Sequence, residues 1–342
     1  MDIVYTDRHV RHQPKNFLRR GVPAANPEVA ARASTLLDGA RNAGHRIVAP
    51  DSFGAAPRAA VHTAEYLTFL ETAIERWQSL PEGGAEIVPN IHPNRHMANR
   101  PTGIIGLVGW HTADTACPIS TGTWEAATAA ADVAVHATEL VLTGAPIAYG
   151  LCRPPGHHAY ADMAGGFCYL NNAAIAAQHA AQKLGRIAIL DIDVHHGNGT
   201  QGIFWERGDV FFASVHADPT DYYPFYAGYA DERGTGAGLG ANLNIPLAIG
   251  SGDEAFLGGI DRTLSAIADF DPALLVVSLG FDAYEKDPLG VFKVTTAGFG
   301  AAATRIAGLR RPTVLIQEGG YLTGDLGVNL ARFLKDYETA LS

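Results

Sequence analysis

The sequence predicts an α/β domain: a mostly parallel sheet flanked by helices, with a functional site at the carboxyl ends of its strands. Two observations predict it. Apolar, β-branched runs of strand length alternate with segments of helical periodicity, the pattern of parallel strands joined by crossover helices. Several of those runs end in reactive side chains, namely His157 and His158, Asp193 and His195, Asp282, and Tyr321. Strand ends of such a sheet share one rim, so groups far apart in sequence converge there. Neither a Ser-rich linker nor an internal repeat divides the chain, so one domain over 1–342 is expected.

Composition narrows the function. A hydrophobic fraction of 47% over 342 residues is ample for a large core. The net charge of −10, without any block of Lys and Arg, argues against a nucleic-acid surface. Cys117, Cys152 and Cys168 are odd in number and lack CxxC spacing, so neither a disulfide framework nor a cysteine zinc site is indicated, and reducing cytoplasm is the expected setting. The opening Met1-Asp-Ile-Val-Tyr-Thr-Asp-Arg-His9 lacks a basic, then apolar, leader pattern, and no apolar run reaches membrane-spanning length. No membrane partner is expected.

In chain order, Ile3 to Tyr5 reads as a short strand. The basic loop from Arg8 to Arg20, with His9, Arg11, His12, Lys15, Arg19 and Arg20, suits a solvated face. A helix over about 27–43 ends at Gly44, and Arg46-Ile-Val-Ala-Pro50 returns to strand. Tyr66, Phe69, Leu70, Ala73, Ile74 and Trp77 recur at helical spacing, a core stripe. Residues 80–122 turn to Pro, Gly, Asn and His without clear periodicity, which marks an inserted lid or interface segment. The irregular spacing of His92, His96 and His111 there, beside Asp114, makes them surface groups rather than metal ligands. An Ala-rich helix over 123–142 stops at Gly144.

Pro146 to Cys152 is a buried strand leading into Arg153-Pro-Pro-Gly-His-His158. Two adjacent histidines on a Pro-Gly loop each need a partner of their own and suit acid/base chemistry. A helix over 171–184, closed by Gly185, precedes Arg186-Ile-Ala-Ile-Leu-Asp-Ile-Asp-Val-His-His-Gly-Asn-Gly-Thr200. Ile187 to Val194 has strand character, and alternation puts Asp191, Asp193 and His195 on one face. A strand merely entering a loop would explain one aspartate, whereas two buried carboxylates on one face call for a countercharge. Asp209 to His216 is another strand, followed by an aromatic loop with Tyr222, Tyr223, Phe225, Tyr226 and Tyr229. The Gly-rich run 234–240 lacks the Lys-Ser/Thr of a phosphate loop and precedes a strand over 241–246. A helix over 253–268, strands over 271–282 and 312–321, and a last helix over 325–337 complete the reading.

Asp193, His195 and Asp282 form a two-carboxylate, one-imidazole set without a thiolate. Three protein ligands and open positions describe a catalytic zinc site, and Fe(II), Co(II) or Mn(II) suit the same donors.

These motifs carry a resemblance. Arg153-Pro-Pro-Gly-His-His158, Gly166-Phe-Cys-Tyr-Leu-Asn-Asn172, Asp191-Ile-Asp-Val-His-His-Gly-Asn-Gly-Thr200, Leu279-Gly-Phe-Asp282 and Glu318-Gly-Gly-Tyr321 together resemble the histone deacetylase superfamily, with its arginase/deacetylase fold. The resemblance runs from near the start to about residue 335. It implies zinc on Asp193, His195 and Asp282, the tandem His157 and His158 beside the attacking water, and Tyr321 facing the substrate carbonyl. It further implies Asp191 as the partner that orients His157, and K⁺ held by Asp191, Asp193, His195 and Ser214. Gly166, Phe167, Tyr223 and Leu289 match substrate-channel positions. Asn198 stands where many lysine deacetylases carry an Asp beside the second histidine. A neutral partner stabilises imidazolium less, which favours a neutral His158 and a cationic His157.

Within the superfamily the chain is most similar to bacterial acetylpolyamine amidohydrolases, through Ser120-Thr-Gly-Thr-Trp-Glu-Ala126, Trp205-Glu-Arg-Gly-Asp-Val-Phe-Phe-Ala-Ser214 and the long insert. That similarity implies a homodimer whose insert narrows the mouth. Acidic insert residues thought to attract polyamine charge are replaced near Ile105 and Ala116, with Asp114 as a substitute. The expected function is zinc-dependent removal of acetyl groups from small acetylated amines, with a broader acyl-lysine hydrolase as the alternative. Arginase-like ureohydrolysis needs ligands for two metals. A catalytically inactive binding module would need no relay.

Overall fold

The apolar runs pair into one eight-stranded sheet in which every neighbouring pair is parallel. The computed structural model describes residues 1–342. In chain order its elements are β1 (Asp2–Val4), a hairpin of β2 (Asn16–Arg19) and β3 (Val22–Ala25), α1 (Ala31–Asn42), β4 (Arg46–Val48), α2 (Ala56–Ala59), α3 (Ala64–Gln78), α4 (Ile104–Trp110) and α5 (Thr123–Leu142). There follow β5 (Ile147–Gly150), α6 (Asn172–Leu184), β6 (Ile187–Asp191), α7 (Asn198–Phe204), β7 (Val210–Ala217) and β8 (Asn242–Leu247). The chain closes with α8 (Asp253–Phe270), β9 (Leu274–Leu279), α9 (Thr296–Gly308), β10 (Thr313–Gln317) and α10 (Leu326–Leu341). The strand order is β4-β1-β5-β10-β9-β6-β7-β8.

Alternation along the strands divides the core between the two faces of the sheet. On β6, Ala188 and Leu190 pack towards the layer of α1, α8, α9 and α10, while Ile187 and Ile189 pack towards α5 and α6. β9 does the same with Leu275, Val277 and Leu279 on one face and Leu274 and Val276 on the other. With both faces covered, the inner strands are apolar throughout, and each such side chain contributes roughly 1.5–3 kcal/mol by burial. A third cluster joins α3 and α4 to the outer side of α5.

The single α/β domain and its parallel sheet agree with the sequence reading. Several details differ. The central strand stops at Asp191, so Asp193 and His195 lie in the loop beyond it and do not share a strand face. The basic loop is no uniformly solvated face: its second half holds strand β2, paired with β3 beyond it, and His9 and His12 are buried. Arg153 donates to the carbonyls of His9 and His12, which pins that stretch inside. The insert contains α4 and is closed at its base by a two-way bridge between Ile87 and Ile119. Within it His111 is buried, donating its ring N–H to the Asp162 carbonyl, while His96 is exposed. Helices α7 and α9 went unpredicted because Gly-Asn-Gly-Thr and Thr-Ala-Gly-Phe-Gly-Ala are poor helix formers, held here by tertiary packing. No helix is long and apolar enough to cross a membrane.

Candidate active site

The carboxyl ends of β5, β6, β9 and β10 surround a cavity of about 440 Å³ that His157, His158, Asp193, His195, Asp282 and Tyr321 all line. The rim predicted from the sequence therefore exists. At its floor, His195 Nδ1 lies 3.1 Å from Asp193 Oδ1 and 3.1 Å from Asp282 Oδ2. One donor atom from each of the three falls within 4.8 Å of the others. Backbone N–H groups hold the carboxylates: Gly319 donates to Asp193 Oδ2 (2.8 Å) and Val194 to Asp282 Oδ1 (3.0 Å).

Asp193 and Asp282 are fully buried, and neither forms an ion pair with Lys or Arg. Burial opposes the charge on His195, but hydrogen bonds to the two carboxylates raise its pKa to about 9. Burial and the neighbouring Asp193 raise that of Asp282. The three buried carboxylates Asp191, Asp193 and Asp282 face two imidazoles, His195 and His157, and remain short of positive charge, which a divalent cation would supply. The space fits as well, because a Cβ at Gly319 would lie 2.1 Å from Asp282 Oδ2 and one at Gly280 would lie 2.1 Å from Asp193 Oδ2. The backbone has been brought against the donors as closely as glycine allows. These residues fit a catalytic metal.

The tandem histidines sit side by side, ring centroids 4.0 Å apart, with different partners. His157 Nδ1 is 2.9 Å from Asp191 Oδ2, and His158 Nδ1 donates to Asn198 Oδ1 at 2.6 Å. Burial disfavours both cations. At His157 the charges of Asp191 and Asp193 prevail and raise the pKa to about 10. At His158 burial and the neighbouring cations lower it well below the ordinary value, and the amide of Asn198 offsets little. The two rings thus differ in partner, a carboxylate at His157 and an amide at His158. Their loop is fixed by Glu318, whose Oε2 accepts from the N–H of Gly156 (2.7 Å) and of His157 (3.1 Å).

Tyr321 stands opposite, after Gly320 at φ +107°. Its backbone N–H donates to Asp287 Oδ2 at 2.7 Å, and its hydroxyl has no hydrogen-bond partner within the protein. Behind it the buried Arg32 guanidinium lies 4.8 Å over the ring and donates to the carbonyls of Glu318 (2.7 Å) and Gly320 (2.5 Å). Glu28 balances that charge and also holds Arg153, with both contacts at 2.8 Å. Sequence reasoning missed Arg32, Glu318 and Asp287 as supports of the site. The i,i+4 pair Glu28/Arg32 was the available signal for the first.

The walls come from loops. Phe167 touches Tyr321 edge-on, Tyr223 meets the His158 ring at 90° and 4.9 Å, and Tyr222 stacks on His195 at 4.9 Å. Leu289 lines the cavity and its carbonyl accepts from the Tyr222 hydroxyl, while Gly166 abuts His158. Of the insert, Asp114 reaches the cavity and His92, His96 and His111 do not. Phe17, Leu18, Arg19 and Arg20 of the hairpin complete the mouth. Ser214 sits beside Asp191 in register on β7, its Oγ 2.8 Å from His216 Nδ1.

The model of the histone deacetylase domain matches residues 26–336. The chain belongs to the histone deacetylase family. Among members of the family, it is 47% identical to an acetylpolyamine amidohydrolase of Burkholderia pseudomallei over 94% of each chain. It is 44% identical to acetylpolyamine amidohydrolase 1 of Pseudomonas aeruginosa over 98% of this chain and 99% of that one. The crystal structure of the acetylpolyamine aminohydrolase from Burkholderia pseudomallei superposes with a TM-score of 0.97 at 45% identity, covering 99% of both chains. Histone deacetylase family members are hydrolases of amide bonds, and the resemblance read from the motifs is thereby borne out.

Proposed function

We propose that the protein is a metal-dependent deacetylase of small acetylated amines, acetylpolyamines foremost. The observation that carries this reading is the convergence of Asp193, His195 and Asp282 with His157, His158 and Tyr321 on one narrow cavity. Asp193, His195 and Asp282 would hold the ion, zinc in the first instance and Fe²⁺ or Co²⁺ as alternatives. A divalent ion there supplies polarisation of the amide carbonyl and acidification of water.

His158, the uncharged member of the pair, takes the proton from the attacking water. His157, held as a cation by Asp191, steadies the negative charge that develops, and the proton taken up by His158 passes to the amine nitrogen as the C–N bond breaks. The Tyr321 hydroxyl donates to the carbonyl oxygen as it gains charge, and the Asp287 contact and the Arg32 platform keep it aimed. Phe167 and Tyr223 flank the linear chain of the amine, with Gly166 and Leu289 completing the channel. Asp191, Asp193, His195 and Ser214 would hold a structural K⁺ below the site.

Sterics at the mouth support small substrates, since the hairpin and the insert both border it. The exposed Ile91, Met97 and Ile105 of the insert suit a homodimer contact in a cytoplasmic protein. Parallel assays should rank kcat/KM as acetylated diamines and polyamines, then short acetyl-lysine peptides, then folded acetylated histones. Equal efficiency on histones and N-acetylputrescine would remove the small-amine reading.

A further inference from the structure

Asp114 lines the cavity from the insert together with Thr115 and Ala116, and both oxygens of its carboxylate accept hydrogen bonds. Oδ2 accepts from the Tyr223 hydroxyl at 2.6 Å and from the Gly166 N–H at 2.9 Å, while Oδ1 accepts from Ala116 N at 2.7 Å. The first is a short, charge-assisted bond. One oxygen thus ties together three segments far apart in sequence: the insert, the Gly165-Gly166-Phe167 turn and the aromatic loop. Both channel walls depend on it. Tyr223 is held directly, with its ring set edge-on against His158. Phe167 is held through the residue before it: Gly166 lies at φ +52° and Phe167 at φ +68°, a left-handed backbone that side chains avoid unless their surroundings impose it. Backbone bonds stitch the same stretch of insert to the turn, from Ala113 N to Ala164 O (2.7 Å) and from Ala164 N to His111 O (2.9 Å). Nothing in the catalytic reading uses Asp114 or the hydroxyl of Tyr223, and a phenylalanine would serve as an apolar wall.

We propose that Asp114 is a positioning residue that sets the width of the channel, locking Tyr223 and Phe167 at a spacing that admits a slender acyl-amine and refuses the bulkier backbone of a peptide. The acid is therefore a latch between insert and walls and not a docking point for substrate charge. Its selectivity arm rests on the amide-hydrolase reading, and its structural arm does not.

Four variants of the full-length protein test it: Tyr223→Phe, Asp114→Ala, the two combined, and Asp114→Asn. Two quantities are measured: the ratio of kcat/KM for N-acetylputrescine to that for an acetyl-lysine tripeptide, and amide hydrogen exchange over residues 111–116 and 164–168. Tyr223→Phe should lower the ratio by about tenfold, the order of one charge-assisted hydrogen bond, and act on KM more than on kcat. Asp114→Ala should lower it at least as far. The combination should go no further than Asp114→Ala, because the two changes remove the same bond. Asp114→Asn keeps an acceptor and should restore part of the ratio. Exchange should quicken over both stretches in Asp114→Ala. A ratio unchanged in Tyr223→Phe, effects that multiply in the combined variant, or exchange at the wild-type rate would each overturn the latch. Failure of the wild-type protein to turn over either substrate would refute the amide-hydrolase reading instead, and exchange alone would then decide for or against the latch.

Discussion

Adding a single methyl group at Gly319 tests how the candidate metal centre is built. A Cβ there would lie 2.1 Å from Asp282 Oδ2 and 2.5 Å from Asp193 Oδ2. An ordinary C···O approach is about 3.3 Å, so the nearer carboxylate must retreat by roughly 1 Å. Asp282 cannot do so freely: its Oδ1 is held by Val194 N at 3.0 Å and its Oδ2 by His195. Gly319→Ala should therefore spread the three donors while the sheet beneath stays folded. A misplacement of about 1 Å at a reacting centre commonly lowers turnover around 10²-fold, and overpacking costs about 1–3 kcal/mol of stability. Elemental analysis should find well under one ion per chain, and kcat should fall by about 10²-fold. Gly324→Ala, with open space around its added methyl, serves as the control and should leave both unchanged. Full metal content with kcat within about threefold of wild type in Gly319→Ala would refute the assignment of these carboxylates to the ion.

Further outcomes follow from the same geometry. Asp193→Ala and Asp282→Ala should each abolish metal retention, and full metal in both by elemental analysis would dismiss the site. Tyr321→Phe should keep the metal and the fold yet lose about 10² to 10³ in kcat, as expected when one oxyanion donor is removed; near wild-type turnover would mean that the phenol only packs. Asn198→Asp puts a negative charge beside His158 Nδ1, which favours imidazolium and should raise that pKa. The base is neutral only above its pKa, so the acid limb of the kcat/KM profile should move to higher pH. An unmoved limb would exclude His158 as the base.

The chemistry-bearing residues of this chain were legible in the sequence because they follow strands. Ile187 to Leu190 and Leu274 to Leu279 announce themselves as buried strands, and what comes next is forced to the rim. Supports acting through backbone atoms were not legible. Glu318 binds two N–H groups of the histidine loop and Asp287 binds that of Tyr321, contacts that leave no periodic trace. The buried pairing of Arg153 with Glu28 joins residues 125 apart, so composition made the first basic loop look like surface when its carbonyls were in fact partners of Arg153. Asp114 was visible as an acid near the mouth. Its three donors, two of them from segments more than fifty residues away, were not.

The last strand of the chain lies in the middle of the sheet. β5 pairs with β1 and β10, and β9 with β10 and β6, so β10 alone joins the group β4-β1-β5 to the group β9-β6-β7-β8. Without β10 the two groups would share no strand, and each would present an open inner edge. Open edges of this kind invite pairing with other chains. Asp193, His195 and Asp282 precede β10 in the chain, whereas Gly319 and Tyr321 directly follow it. Closure of the sheet and completion of the site rim therefore depend on one and the same strand.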